Sequence, residues 1–159
     1  MASLIQFHYT GGAANADPEQ SLGGTGSSVE LVGTALNNLF ENVLPPDTLL
    51  GDSVRYRAID LYNAGDATAE ALTFFFLDTP NVESLVEAWY DSAGTQSIVD
   101  EETEPVGASG NWTTPVQAAQ MALANLAAGS RHRIWIKRTV NQFATNLPND
   151  TAYLYSWFA

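Results

Sequence analysis

The chain of 159 residues lacks cysteine altogether. It therefore has no disulfide framework and no thiolate metal ligands, and its stability depends on burying apolar side chains. Apolar runs are also short, since none approaches the ~20 residues that a membrane-spanning helix requires. Hydrophobic residues nevertheless make up 45% of the chain, which is too much for a disordered protein and enough for a core.

Basic residues are scarce: six lysines and arginines stand against 18 aspartates and glutamates, which gives a formal net charge of -12. A chain with this charge repels the phosphates of nucleic acids and the anionic surfaces of membranes. We therefore expect neither nucleic acid nor membrane among its partners. The same charge keeps a crowded protein soluble until a partner presents a complementary patch.

The few cations are concentrated in two segments that have the pattern of strands. They are Arg55, Arg57, Arg131, Arg133, Lys137 and Arg138. If these two strands are neighbours, the acidic body carries a basic stripe. Two interpretations stay open: an electrostatic docking face, or ion pairs with acidic side chains on adjacent strands.

Histidine occurs only as His8 and His132. Neither lies in a recognisable triad or at metal-ligand spacing, so we expect no enzyme, no catalytic residue, no metal site and no cofactor. The acidic run at residues 100–104 (DEETE) is typical of a solvated loop. Calcium binding is its functional alternative, although the ligand spacing of an EF-hand loop is missing.

Residues 1–50 differ in composition from the rest of the chain. Residues 4–9 are strand-like and are followed by GGAANADPEQSLGGTGSS, a stretch full of turn-forming residues. Such a stretch cannot bury enough apolar surface to order by itself, so we expect it to lie on another surface. Apolar residues at helical spacing in residues 34–43, ended by Pro45 and Pro46, predict one short helix.

Residues 51–159 carry strand signals instead. Apolar patterns typical of strands cover residues 54–63, 71–77, 82–91, 130–140 and 151–158, whereas residues 120–126 fit either a helix or a short strand. About six or seven strands without strand–helix alternation predict an all-β fold. We predict an antiparallel β-sandwich, immunoglobulin-like or jelly-roll, over residues 51–159, behind an extended N-terminal arm (residues 1–50) with one short helix.

Two groups of residues are candidates for an interface. The apolar side chains of the arm are expected to pair as an edge strand, on the protein's own sheet or on a neighbour. The alternative is that residues 4–9 form an integral strand of the sandwich. In residues 130–140, basic and aromatic side chains share one parity and are expected to face outward. The predicted interface residues are Leu4, Ile5, Phe7, Tyr9, Leu22, Arg131, Arg133 and Trp135.

Four sequence segments follow one another along nearly the whole chain: GGAANADPEQSLGG, NNLFENV, GDSVRYRAIDLYN and IWIKRTV. Their order and spacing resemble a family of small virion structural proteins of tailed bacteriophages. A weaker, local resemblance, carried by YRAIDLYNAGDATAEALTFFF and LANLAAGSRHRIWIKRTV, is to bacterial and viral immunoglobulin-like domains. The family resemblance brings no catalytic residues with it.

The resemblance implies a capsid decoration (cement) protein on the virion surface. Its partners would be the major capsid protein and copies of itself, as a homotrimer. A neck or tail component is the alternative within the same particle. The alternative of another class is a carbohydrate-binding or adhesive β-sandwich, with Trp89, Trp112, Trp135 and Trp157 as a sugar platform.

Overall fold

Alternating side chains build two antiparallel sheets. The computed structural model describes residues 2–43, 48–77, 83–142, 144 and 152–158. The strands in these parts of the chain are β1 (Ile5–Thr10), β2 (Gly26–Glu30), β3 (Ser53–Asn63), β4 (Thr73–Leu77), β5 (Ser84–Asp91), β6 (Met121–Ala122), β7 (Arg131–Val140) and β8 (Tyr153–Trp157). The larger sheet has the order β2-β1-β3-β7-β5 and the smaller one β6-β4-β8. The prediction of an all-β antiparallel sandwich is confirmed, and its immunoglobulin-like or jelly-roll type stays a prediction.

The main core lies between the two sheets. In the larger sheet β3 and β7 are paired so that Ile59 stands opposite Ile134. Phe74 and Phe76 of β4 and Leu154 of β8 belong to the same buried cluster. Each such side chain contributes about 1.5–3 kcal/mol on burial, so this cluster supplies the main driving force for folding.

The N-terminal strand belongs to the larger sheet. β1 lies between β2 and β3, with Ile5 opposite Asn63 and His8 opposite Asp60. Phe7 and Tyr9 are buried in the main core. The expectation that these two aromatic side chains lie on an arm and contact a partner is wrong, because β1 is an interior strand whose apolar side chains face the second sheet.

The aromatic contacts of β1 show how tightly it is integrated. The ring of Phe7 meets that of Phe74 edge-on, with centroids 6.3 Å apart. Ile5 packs against the same cluster. Deleting the first 25 residues would therefore remove an interior strand and its part of the core, whereas an arm could be removed without loss of the sandwich.

The turn-rich stretch after β1 orders on the protein's own sheet. The side-chain amide of Asn15 donates to the backbone oxygen of Thr10 at 2.6 Å. The Ser27 hydroxyl in turn donates to the backbone oxygen of Asn15 at 2.6 Å, and the Asp17 carboxylate accepts the N–H of Glu19 at 2.9 Å. Short polar side chains thus replace the backbone bonds that a regular element would supply.

The predicted helix at residues 34–43 is reduced to a 3-10 turn at Leu36–Asn38. The backbone before this turn bonds to the chain around β8: Leu154 donates to Thr34 at 2.8 Å, and Leu36 donates to Ala152 at 2.9 Å. Tertiary pairing therefore overrides the helical spacing, although the apolar residues of the turn are still buried. Pro45 and Pro46, predicted to end the helix, lie outside the described residues.

The remaining expectations concern two segments of the second half of the chain. Residues 120–126 contain the two-residue strand β6, which decides between the helix and the short strand. The turn predicted at residues 147–150 lies outside the described residues. In the part of the chain that the structure describes, no helix is both long and apolar enough to span a membrane.

Candidate functional site

The predicted basic stripe forms, because β3 and β7 are neighbours and place Arg55 opposite Arg138. Its charges are nevertheless used inside the molecule. Glu101 forms ion pairs with both Arg55 and Arg57, and Lys137 lies 2.7 Å from Glu87. Of the two interpretations of the stripe, intramolecular pairing is therefore the one observed.

Arg133 is the most constrained of these cations. Its Nε donates to Asp60 at 2.8 Å, and its Nη1 donates to the backbone oxygen of Gly24 at 2.7 Å and to that of Gly94 at 3.2 Å. Arg133 and Asp60 are both buried. Its prediction as an outward interface residue is wrong: the guanidinium has five donors in a fixed fork, and here they tie two loops to the sheet.

Arg57 is also buried, at the end of the main core nearest Phe40, whose ring centroid lies 5.8 Å from its guanidinium carbon. Burial lowers the pKa of Arg57 from its ordinary value, and the neighbouring charge of Arg55 acts in the same direction. The negative charges of Glu19, Glu41 and Asp17 act on the pKa of Arg57 in the opposite direction. Glu101 is the ion-pair partner of both arginines. The acidic run thus contributes a structural carboxylate.

Trp135 lies on the face of β7 opposite the main core, as its parity predicts, yet its exposed fraction is 0%. With Tyr56 and Ala58 it forms a second core, against which Ile98 and Trp112 pack from residues 92–112. We call this outer face of the larger sheet, around Tyr56, Ala58 and Trp135, the covered face. The prediction of Trp135 at an interface is wrong because a long loop buries it.

Several contacts hold the loop on the covered face. The rings of Tyr56 and Trp112 have centroids 5.6 Å apart. The backbone N–H of Ile98 donates to Leu22 at 3.0 Å, and that of Gly24 donates to Gln96 at 2.8 Å. Leu22, another predicted interface residue, is thereby half-buried at the margin of this cover.

The acidic run at residues 100–104 belongs to the same cover. The Asp100 carboxylate accepts the Thr103 hydroxyl at 2.7 Å, and the Glu104 carboxylate accepts the indole N–H of Trp112 at 2.6 Å. These oxygens stabilise the loop. Among the described residues, no three or more His, Asp or Glu side chains are grouped so as to hold a metal ion.

Both histidines make structural hydrogen bonds. Nδ1 of His8 lies 3.0 Å from the backbone oxygen of Ser27. The ring of His132 bridges the Tyr90 hydroxyl, at 3.0 Å, and the backbone oxygen of Ala124, at 2.9 Å. Burial raises the pKa of Tyr90 above its ordinary value.

The outer face of the smaller sheet carries exposed aromatic side chains. Tyr153, Tyr155 and Trp157 alternate along β8 and are 36%, 45% and 67% exposed, and we call them the aromatic strip. Tyr155 stacks on Phe75 of β4 at a centroid distance of 5.7 Å. The strip is therefore held on a paired strand over a buried ring, and its rings need little further ordering on binding.

Next to the aromatic strip, the backbone of β8 has an open position. Leu154 bonds to Thr34 on the side away from β4. By the two-residue period of a strand, the N–H and C=O of Ser156 point the same way. Within the described residues neither group has a backbone partner on that side.

The structure does not bring the predicted interface residues together. Leu4 is exposed beside β1, and the Arg131 guanidinium lies over the ring of Tyr62, 4.5 Å from its centroid. Both belong to the larger sheet, whereas the aromatic strip lies on the smaller one. The alternation of residues 151–158 already placed these aromatics on one face, but nothing local indicated that this face is uncovered.

The four tryptophans do not share a platform. Trp89 and Trp112 pack edge to face with centroids 6.4 Å apart, Trp135 is buried, and Trp157 lies on the other sheet.

Comparison of the chain with protein-family models, with curated proteins and with solved structures gave no match.

Proposed function

We propose that this chain is a non-enzymatic structural protein of a tailed-bacteriophage virion, a capsid decoration (cement) protein that attaches through the aromatic strip. The observation that carries the proposal is the exposure of Tyr153, Tyr155 and Trp157 on one rigid strand. Tyrosine and tryptophan are enriched in protein interfaces and among the residues that dominate binding energy. The kind of particle is inferred from the resemblance of the sequence to small virion structural proteins of tailed bacteriophages.

The open edge of β8 adds main-chain hydrogen bonding to this surface. A strand of the major capsid protein that pairs at Ser156 would lie beside the ring of Trp157. The main chain would then supply affinity and the aromatic side chains specificity. Such a contact needs no deep pocket, which suits a protein that binds across the joint between two capsid subunits.

The charge distribution supports a surface position on the particle. Arg55, Arg57, Arg131, Arg133 and Lys137 form ion pairs with acidic side chains, and the chain as a whole keeps a net charge of -12. An acidic body repels the packaged nucleic acid and other acidic copies except where specific contacts form. We further propose that copies assemble as homotrimers on the capsid lattice, where many weak contacts act together.

The test uses particles produced without this protein, to which the purified protein is added back. Wild type is compared with the double variant Tyr155→Ser/Trp157→Ser by co-sedimentation. The control is Val99→Ser/Val106→Ser, which removes two apolar side chains away from β8 that are even more exposed than those of the strip. We expect the strip variant to bind at least about tenfold more weakly, because each central interface aromatic contributes about 1–2 kcal/mol or more, and the control to bind as wild type.

Electron cryomicroscopy of the restored particles decides the location. Density at three-fold positions of the capsid supports the decoration role and the trimer. Density confined to the neck or tail overturns it in favour of a neck or tail component. Failure of the wild-type protein to bind any part of the particle, or equal binding of the strip variant, rejects the proposal.

A further inference from the structure

A cleft lies where the chain crosses from the larger sheet to the smaller one. Thr113 exchanges two backbone bonds with Ala88 of β5, at 2.7 and 3.0 Å, and Pro115 accepts the N–H of Phe76 of β4 at 2.9 Å. The crossing segment therefore bridges β5, the edge strand of the larger sheet, and β4, the central strand of the smaller one. Beside it is a cleft of about 500 Å³, a volume typical of small-molecule sites.

The lining of this cleft is aromatic and polar but uncharged. The described residues that line it carry the rings of Trp89 and Tyr90, the amides of Asn111 and Gln120 and the hydroxyls of Tyr90, Thr113 and Thr114, and the rest of the lining is apolar. Some of these groups already have partners in the protein: the Tyr90 hydroxyl bonds to His132, the Thr113 hydroxyl donates to the backbone oxygen of Ala88, and the Gln120 amide bonds to Thr73 and Gln117. No described lining residue is an acid or a base, in a chain whose net charge is -12. This neutral lining sets the cleft apart from the acidic surface.

Part of the hydrogen-bonding capacity of the cleft is unused. Ala88 directs its N–H and C=O away from β7 toward Thr113, so Tyr90, two residues further along, directs its own backbone groups to the same edge. No described residue pairs with them. Asn111 donates through its nitrogen to Gly107 at 2.9 Å, which leaves its side-chain oxygen as an acceptor.

The geometry points to a binding site for a neutral carbohydrate in this cleft. A pyranose has an apolar C–H face that packs on an aromatic ring and a rim of hydroxyls that both donate and accept hydrogen bonds. Trp89 and Tyr90 are neighbours on β5 and lie on opposite faces of it, so each offers one ring at the border of the cleft for the first, and the amides and hydroxyls offer groups for the second. The inference concerns a different surface from the aromatic strip and does not depend on attachment to a capsid.

Other ligands fit the cleft less well. An added peptide strand needs several open backbone positions in a row, and Thr113 already occupies the edge at Ala88. Phosphorylated or carboxylated ligands meet no cation in the lining and a net negative charge around it. A neutral ligand with hydroxyl groups satisfies the polar groups without this repulsion.

The experiment is a titration of the ¹⁵N-labelled protein, followed by NMR. The ligands are methyl glucoside, methyl galactoside, methyl mannoside and N-acetylglucosamine with their neutral disaccharides, and glucuronate and N-acetylneuraminate as charged comparisons. We expect saturable binding of at least one neutral sugar with a Kd in the range of about 1 mM. Shifts of the backbone signals of Tyr90 and Thr114 should accompany it.

A matched pair of variants tests the location. Thr114→Val/Gln120→Ala removes one hydroxyl and one amide from the lining, and Thr25→Val/Gln117→Ala makes the same changes at exposed positions outside it. The lining variant should bind at least about tenfold more weakly, since each change removes a hydrogen-bonding group, while the other variant binds as wild type. The inference is overturned if no neutral sugar saturates, if the charged sugars bind more tightly, or if the two variants lose affinity equally.

Discussion

The two outer faces of the sandwich carry similar side chains and differ in what lies over them. The covered face holds Tyr56 and Trp135 beneath residues 92–112. On the smaller sheet, Tyr155 and Trp157 form most of the aromatic strip and remain exposed. A sheet face rich in tyrosine and tryptophan is thus a core in one case and exposed to solvent in the other.

The difference shows what the long acidic loop does. It brings Ile98 and Trp112 over the larger sheet and supplies Glu101 to two arginines. The loop therefore converts an outer sheet face into a second core, with both apolar and ionic contacts. The smaller sheet has no such insertion among the described residues, and Tyr155 and Trp157 are exposed on its outer face.

The largest expected difference in stability is between two variants that each truncate a tryptophan, one on each outer face. Trp135→Ala should lower the free energy of unfolding by about 3–5 kcal/mol, because it leaves a cavity beneath the loop. Trp157→Ala should change it by less than about 0.5 kcal/mol, because that side chain is mostly solvated. Urea unfolding followed by circular dichroism measures both. Equal losses would mean that the two faces do not differ as described.

A pair of glycine variants isolates the cover itself. Gly23 and Gly94 both have positive φ, 85° and 63°, but a Cβ on Gly23 would clash with the backbone oxygen of Gln96 in the loop and lie 2.6 Å from the Trp135 ring, whereas one on Gly94 meets nothing within 4 Å. Gly94→Ala should cost about 1 kcal/mol from backbone strain alone. Gly23→Ala should cost a further 1–3 kcal/mol, roughly, from overpacking against the covered face.

Thermal unfolding of the two glycine variants provides the measurement. Near-ultraviolet circular dichroism should change in Gly23→Ala alone, since only that substitution displaces a buried indole. If both variants melt at the same temperature, the chain at Gly23 does not press on Trp135, and the cover is looser than the contacts indicate.

The smallest expected effect lies at the margin of the covered face, where Ser21 accepts the N–H of Ala58 at 2.8 Å. Nearby, a hydrogen bond shared with the side chain of Glu41, and then its charge, raise the pKa of Glu19 above its ordinary value of 4.5. The folded state thus holds a proton that the unfolded state releases, so stability falls as pH rises from 4.5 through the raised pKa.

Glu19→Gln keeps a donor to Glu41 and removes the charge. Its Tm should exceed that of wild type by at most about 2 °C at pH 7, and the difference should vanish below pH ~4, where wild-type Glu19 is protonated. Glu70→Gln, at another exposed glutamate, is the control and should show no such pH dependence. An advantage that persists in acid would contradict the shared-proton explanation.

Particular residues show how far the sequence predicts this molecule. The alternation in residues 130–140 correctly placed Ile134 and Ile136 on one face and Trp135 on the other. The strand at residues 4–9 was also correct, but its position was not, because an apolar hexamer has the same pattern at an edge and in the interior. The helical spacing in residues 34–43 was overridden by pairing with the chain around β8.

The candidate site was predicted less well than the fold. Of the predicted interface residues, Phe7, Tyr9, Arg133 and Trp135 are buried. The exposed aromatics of β8 were recognised only as one face of a strand. Whether a face of a strand is exposed to solvent depends on which distant segments of the chain pack over it. The local sequence pattern of the strand carries no information about those segments.

By itself the sequence determined the strands, their faces and the acidic charge of the molecule. These follow from local properties, because the two-residue period of a strand decides which side chains share a face. Only the tertiary structure decided that residues 92–112 bury Trp135, that β1 is interior and that Tyr155 and Trp157 stay exposed. The physical reason is that burial depends on contacts between residues distant in sequence. The same amphipathic strand can bury its apolar face in more than one arrangement of the sheets and loops.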